Sequence, residues 1–181
     1  MGGRVALLRA VNVGGANRLA MADLRIVAEN LGYLAAKTLL QTGNLVIEPP
    51  TEEPVATTEA RLQAALVAHL ALNVDVIART AAEWSATMTA NPFEEEARHD
   101  SARLVIMALK ADAAPGGEAR LIGTIRGPEQ ARLRGRDVFI HYPDGMGASR
   151  LTAAVVERAL GVRGTARNWN TVQKIAALLA D

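Results

Sequence analysis

Apolar residues in this chain come in short blocks, and their spacing switches between two periods. Residues 4–11 (RVALLRAV) form an apolar run closed by the polar loop NVGGANRLA, as a buried strand would. Met21, Leu24, Val27 and Leu31 then recur at helical spacing and stop at Gly32, a residue suited to a helix C-terminus. Strand-like runs at 36–41 and 44–48 flank Gln41-Thr42-Gly43-Asn44. A type I turn with Gly43 in the left-handed conformation would join them through a bulge. After Pro49-Pro50, inward-facing Val55, Leu62, Leu66 and Leu70 predict a helix over 55–70, and residues 74–78 (VDVIA) predict a strand. Strand–helix–strand–strand–helix–strand is the ferredoxin-like order, with helices covering one face of an antiparallel sheet.

Thr80-Ala81-Ala82-Glu83 reads as a capping box opening a short helix that holds Trp84 and Met88. Asn91-Pro92-Phe93 and the acidic run Glu94–Glu96 mark a break, read as a loop. The order then repeats: a strand at 103–109, a short helix near 117–124, and strands at 129–134 and 136–142 turning at Arg134-Gly135-Arg136. A helix at 149–160, a short strand at 163–167 and a last helix at 171–180 complete the second set. The expectation is an α+β fold of two ferredoxin-like subdomains, residues 1–80 and 101–181. A helix and an acidic loop at 81–100 connect them.

Composition narrows the function classes. The chain has 181 residues, half of them hydrophobic, and no cysteine. A disordered chain or a disulfide scaffold is excluded. Alanine occurs 35 times and arginine 17 times against three lysines, a bias expected of a GC-rich genome. No apolar segment is long enough to span a membrane, and the first residues lack the long apolar stretch of a signal peptide. The expected location is the cytoplasm. Net charge is +1, unevenly spread: residues 126–167 hold eight arginines against Glu129, Asp137, Asp144 and Glu157. That excess is either a solvated face or an anion site.

Four segments carry candidate chemistry. Asn12-Val13-Gly14-Gly15, after the first strand, offers paired glycines whose N–H groups can converge on an anion, with Arg9 adding charge. A plain turn into a helix would need the same glycines. Gln41, Thr42 and Asn44 surround the Gly43 turn. Antiparallel pairing of the first and third strands brings that turn to the Asn12 loop. Ser149 reads as an N-cap beside Arg150, a pairing suited to phosphate or carboxylate, although capping alone accounts for the serine. In Arg167-Asn168-Trp169-Asn170, Asn170 can cap the last helix with Gln173. Arg167, Asn168 and Trp169 are left over, and Trp169 either pins the helix or presents its ring to a ligand.

Taken together, LLRAVNVGGANRLAMADLR, LLQTGNLVI, NPF, YPDGMGASRL and TARNWNTVQKI resemble the bacterial domain-of-unknown-function family 1697 over residues 4–180. The chain departs from the family pattern in places. Ala10 replaces a glycine and Val11 an isoleucine, Thr42 a serine and Arg150 a common lysine, and Leu39 or Leu40 stands where tyrosine is frequent. The resemblance implies two ferredoxin-like subdomains and points to Asn12, Gly14, Gly15, Gln41, Gly43, Asn44, Ser149, Arg167, Asn168, Trp169 and Asn170. It implies no activity.

Several chemistries are set aside. His69, His99 and His141 are scattered with no metal-ligand spacing, so no metal site or cofactor is expected. Base stacking on the sheet, the RNA-recognition mode of this topology, needs aromatics that RVALLRAV and NLVIE lack. Phe139 and Tyr142 face opposite sides of their strand. The leading expectation is a small anionic, phosphate-bearing or carboxylate ligand held by polar loops. The alternatives are sequence-independent nucleic-acid binding through the 126–167 arginines, against which the near-zero net charge argues, and a structural or interaction protein. Oligomeric state and any catalytic residue stay open.

Overall fold

A computed structural model describes residues 2–15 and 17–180. Its elements follow the order β1 (Arg4–Leu8), α1 (Met21–Asn30), β2 (Leu34–Leu39), β3 (Asn44–Glu48), α2 (Val55–Leu70), β4 (Val76–Thr80) and α3 (Ala81–Thr89). After α4 (Glu94–His99) come β5 (Leu104–Leu109), α5 (Gly117–Thr124), β6 (Gln130–Arg134), β7 (Asp137–His141), α6 (Ala153–Leu160), β8 (Gly164–Asn168) and α7 (Trp169–Ala180). Two four-stranded antiparallel sheets result, ordered β2-β3-β1-β4 and β6-β7-β5-β8. Both have the ferredoxin-like order.

The chain divides into two compact units. Unit 1 runs to Ala86 and regains the segment from Lys174 onward; unit 2 is Thr87–Gln173. In unit 1, Ala6, Leu8, Leu45, Ile47, Val76 and Ala78 of the sheet pack with Leu24, Val27, Leu62 and Leu66 of the helices. The opposite face of this sheet (Val5, Leu7, Val46 and Ile77) is buried too. In unit 2, Val105, Met107, Val138 and Ile140 pack with Leu121, Val156 and Leu160.

The two sheets share more than strand order. Leu8 N–H donates to the Gly43 carbonyl at 2.8 Å, and Leu109 N–H to that of Arg136 at 2.8 Å. Arg9 N–H donates to Asp75 O and Lys110 N–H to Arg163 O, both at 2.9 Å. Arg79 pairs with Val5 in one sheet, as Arg167 does with Ile106 in the other. Each of these arginines bonds the carbonyl before it and stands one residue before a helix cap. The order repeats at the level of register.

Side chains close the edges of β4, β6 and β8. Val76 and Ala78 N–H donate to Gln63 and Glu59 of α2, Leu133 N–H to Glu118 of α5, and Gly164 N–H to Glu157 of α6. Such caps occupy groups that would otherwise pair with another chain.

Most expected elements stand within two residues of where the pattern puts them. The Thr80–Glu83 capping box forms reciprocally, at 2.8 and 3.1 Å. Several local expectations need correction. The first strand stops at Leu8, because Ala10 and Asn12 adopt left-handed backbone that cannot continue a ladder (φ 54° and 55°). Glu94–His99 is helical, not a loop; its acidic first turn and the Arg98 bonds to Glu94 and Glu95 suit a helix. The helix expected from 149 begins at Ala153, and Thr152 caps it through its hydroxyl to Val155 N–H.

Polar residues of α2, of the segment ahead of it and of the segment ahead of β2 form a cluster around Glu53. The Glu53 carboxylate accepts from Tyr33 and Thr58 at 2.7 Å each and from Arg61 at 2.9 Å, and Arg61 lies 4.9 Å over the Tyr33 ring. Burial alone would raise the Glu53 carboxyl, but these hydrogen bonds, led by Thr58, outweigh it and hold it below its ordinary value. Burial, then the bond to Glu53, pushes the Tyr33 hydroxyl up to about 12.

Gly43 has φ +74°, and an added Cβ would stand 2.8 Å from Leu8 Cβ. Gly43→Ala should cost about 3 kcal/mol in urea unfolding, combining left-handed strain with overpacking. Gly14→Ala, with φ +61° but open space around it, should cost only about 1 kcal/mol. For Glu53, a depressed folded pKa gives stability that is complete above the unfolded value of about 4.3 and is lost as pH falls through the folded one. Glu53→Gln should therefore melt lower at neutral pH, and its melting temperature should fall less on acidification than that of the parent.

Candidate functional site

The end of the unit 1 sheet where β1 stops and β3 starts gathers the first two candidate segments. Leu7 pairs with Asn44, so the loop after β1 and the turn before β3 emerge together. Asn12 ties them: its Nδ2 donates to Gln41 O at 2.7 Å and to Leu19 O at 2.8 Å, and its Oδ1 accepts from Leu19 N–H at 2.9 Å. Asn17 Nδ2 adds a bond to Ala10 O at 3.0 Å. The Asn12 amide is thus spent on holding the loop. Asn44 is fully buried, and its Nδ2 serves Leu39 O at 2.8 Å and Thr42 Oγ1 at 3.1 Å. Arg9 is half-buried, with its backbone bonded to Asp75.

What these anchors hold in place is an open concavity of about 500 Å³, lined by Asn12, Gly15, Arg18, Leu19, Ala20 and Gln41. Gly14 and Gly15 are exposed and left-handed, with open space where a Cβ would be. Gln41 and Arg18 are exposed as well. Ala20, the residue before α1, supplies no side-chain cap to that helix, whose first N–H groups carry the positive end of its dipole. Arg18 is the residue that pattern reading missed. Its only signal in the sequence is a lone cation three positions before a helix start.

Unit 1 spends more chain here than unit 2 does at the matching place. Residues 9–20 join β1 to α1, whereas only 110–116 join β5 to α5. Residues 40–43 turn the first hairpin, against 135–136 in the second. Extra length in both loops at one end of a register-matched repeat is where a scaffold carries function.

The candidates of unit 2 are largely occupied by the fold. Ser149 donates to Glu129 and accepts from Leu151 N–H at 2.9 Å; the serine bond, above all, holds the Glu129 carboxyl below its ordinary value. The Tyr142 hydroxyl donates to Leu151 O at 3.0 Å, and burial, then the Glu129 charge, pushes it up to about 12. Arg150 is exposed. Arg167 is buried and bonds Thr165 Oγ1 and Ala166 O at 2.8 Å each; burial lowers its guanidinium to about 10. Asn168, and not Asn170, caps the last helix: its Oδ1 accepts from Thr171 N–H at 3.0 Å and Thr171 Oγ1 at 2.9 Å. The strand runs straight into α7, so the helix starts two residues earlier than expected. Trp169 is 5% exposed and packs as its first residue.

The fold and these loops define an α+β protein of two ferredoxin-like repeats, only the first of which carries long polar loops at the β1 end. The family described as protein of unknown function (DUF1697) matches residues 1–139, and the chain belongs to it. Among solved structures, the chain is similar to the conserved bacterial protein SP0830 from Streptococcus pneumoniae, at 19% identity and a TM-score of 0.76 over 98% of each chain. At that identity the likeness shows the fold alone. No curated protein matches the chain. Among the described residues, no helix is long and apolar enough to cross a membrane.

Cap assignment is directly testable. Asn168→Ala should lower unfolding free energy by about 1 kcal/mol, whereas Asn170→Ala should leave it within about 0.5 kcal/mol of the parent. Urea denaturation of the two variants gives the comparison, and the reverse order would return the cap to Asn170.

Proposed function

We propose that this protein binds a small anionic ligand, a phosphate or carboxylate group, in the concavity between the 9–20 loop and the 40–43 turn. The Arg18 guanidinium supplies the charge, the Gln41 amide a directional donor, and Gly15 close backbone approach. The uncapped start of α1 adds a favourable dipole. Asn12 and Asn44 act as positioning residues, because their amides are spent within the protein. The observation that carries this reading is the lengthening of both loops at one sheet end, relative to a repeat that matches in register.

Ser149, Asn168 and Trp169 belong on this reading to the structural framework of unit 2. The nucleic-acid alternative draws less support from the arrangement: Arg167 is buried, and Arg126, Arg132 and Arg134 donate to nearby backbone carbonyls. Cytoplasmic location belongs to the same proposal, since the ligand class is that of small metabolites.

Isothermal titration with inorganic phosphate tests the proposal. Saturable binding is expected, and Arg18→Ala should weaken it about tenfold while leaving the melting temperature unchanged, because Arg18 is exposed. Binding undiminished in Arg18→Ala, or none by the parent at millimolar phosphate, would overturn it.

A further inference from the structure

The opposite end of the unit 1 sheet holds a second arrangement that the loop site does not use. Arg4, the first residue of β1, has a side chain only 8% exposed. Its Nη1 donates to the Thr58 hydroxyl and, at 3.3 Å, to the Pro54 carbonyl, and its Nη2 donates to the Glu53 carbonyl. All three acceptors are neutral. The nearest carboxylate, that of Glu53, stands 3.9 Å away and is already engaged by Tyr33, Thr58 and Arg61. Two guanidiniums, Arg4 and Arg61, therefore share one carboxylate. The buried member of the pair has the longer of the two ion pairs, 3.9 Å against 2.9 Å for Arg61. Burying a charge on those terms is costly.

Arg4 also helps wall a cavity of about 370 Å³, together with Thr51, Glu52, Thr80, Gly2 and Ala82. We propose that it is a binding site for a small organic carboxylate of amino-acid size. A guanidinium has five N–H donors, and the protein engages three of Arg4's. The ligand carboxylate takes donors that remain and adds a second negative charge where two guanidiniums share one carboxylate. Thr51 and Thr80 line the same space, the Thr80 hydroxyl already accepting from Glu83 N–H. Glu52, exposed at the wall, selects among anions: it repels a dianion such as phosphate and attracts the ammonium group of a zwitterion. Charge count thus separates this site from the Arg18 concavity, where no carboxylate among the described residues lines the wall.

Amide NMR titrations of the full chain with glycine, acetate and inorganic phosphate test the proposal. Glycine and acetate should shift the Thr80 and Ala82 amides saturably, and phosphate should do so at least about tenfold less tightly. Arg4→Lys keeps the charge but loses the planar fork, and should weaken glycine binding about tenfold. Ala82 is exposed at the wall, so Ala82→Phe should block the cavity without lowering the melting temperature, and it decides the matter should Arg4→Lys not fold. Arg18→Ala should leave the glycine response intact, so failure of the loop site and failure of this one read out separately. Unmoved Thr80 and Ala82 amides, or an undiminished response in Ala82→Phe, would overturn the proposal.

Discussion

The 40–43 turn lies so close against the end of β1 that no side chain fits at Gly43. Its carbonyl accepts from Leu8 N–H, and its Cα faces the Leu8 side chain at a distance that a methyl group would violate. This contact fixes where β3 begins and puts Asn44 opposite Leu7. It also carries the Gln41 carbonyl to the Asn12 amide. From that clamp the course of the 9–20 loop follows, because Asn12 spends its remaining hydrogen-bonding capacity on Leu19, just ahead of α1. The polar groups left over, on Arg18 and Gln41, face solvent because the others are occupied.

Comparison of the two repeats gives this arrangement its meaning. Hydrogen bonds from Leu8 and Arg9 recur at Leu109 and Lys110, and a buried arginine precedes the cap in both last strands. A scaffold this closely repeated would do equally well with the short connections of unit 2. The longer connections of unit 1 are therefore an addition to the fold and not a requirement of it. The Arg4 cluster makes a related point at the other end of the sheet, where a buried cation shares its one carboxylate partner, Glu53, with Arg61.

The order of elements was legible because apolar spacing and turn residues agreed along most of the chain: helix 55–70 and the Thr80–Glu83 box stand where the pattern puts them. Errors arose where two residues offered the same local chemistry. Ser149 and Thr152 can both cap a helix, as can Asn168 and Asn170, and only the tertiary end-point of the neighbouring segment chooses between them. Apolar Ala10 and Val11 extended the first strand on paper, but left-handed backbone on either side of Val11 ends it. Asn12 and Gln41 were found because strand pairing alone brings their loops together. Arg18 carried no pattern, and Arg4 was hidden in an apolar strand, so the cationic residues of both proposed sites emerge only from geometry.

The central claim is that the lengthened loops of unit 1 form a ligand site and not merely a structural one. Backbone amide NMR of the full chain during titration with inorganic phosphate tests it most directly. The account predicts saturable shifts concentrated at Gly14, Gly15, Arg18, the first turn of α1 and Gln41, with the counterpart loop 110–116 unmoved. Shifts spread evenly over exposed arginines, or equal shifts in both loops, would contradict it.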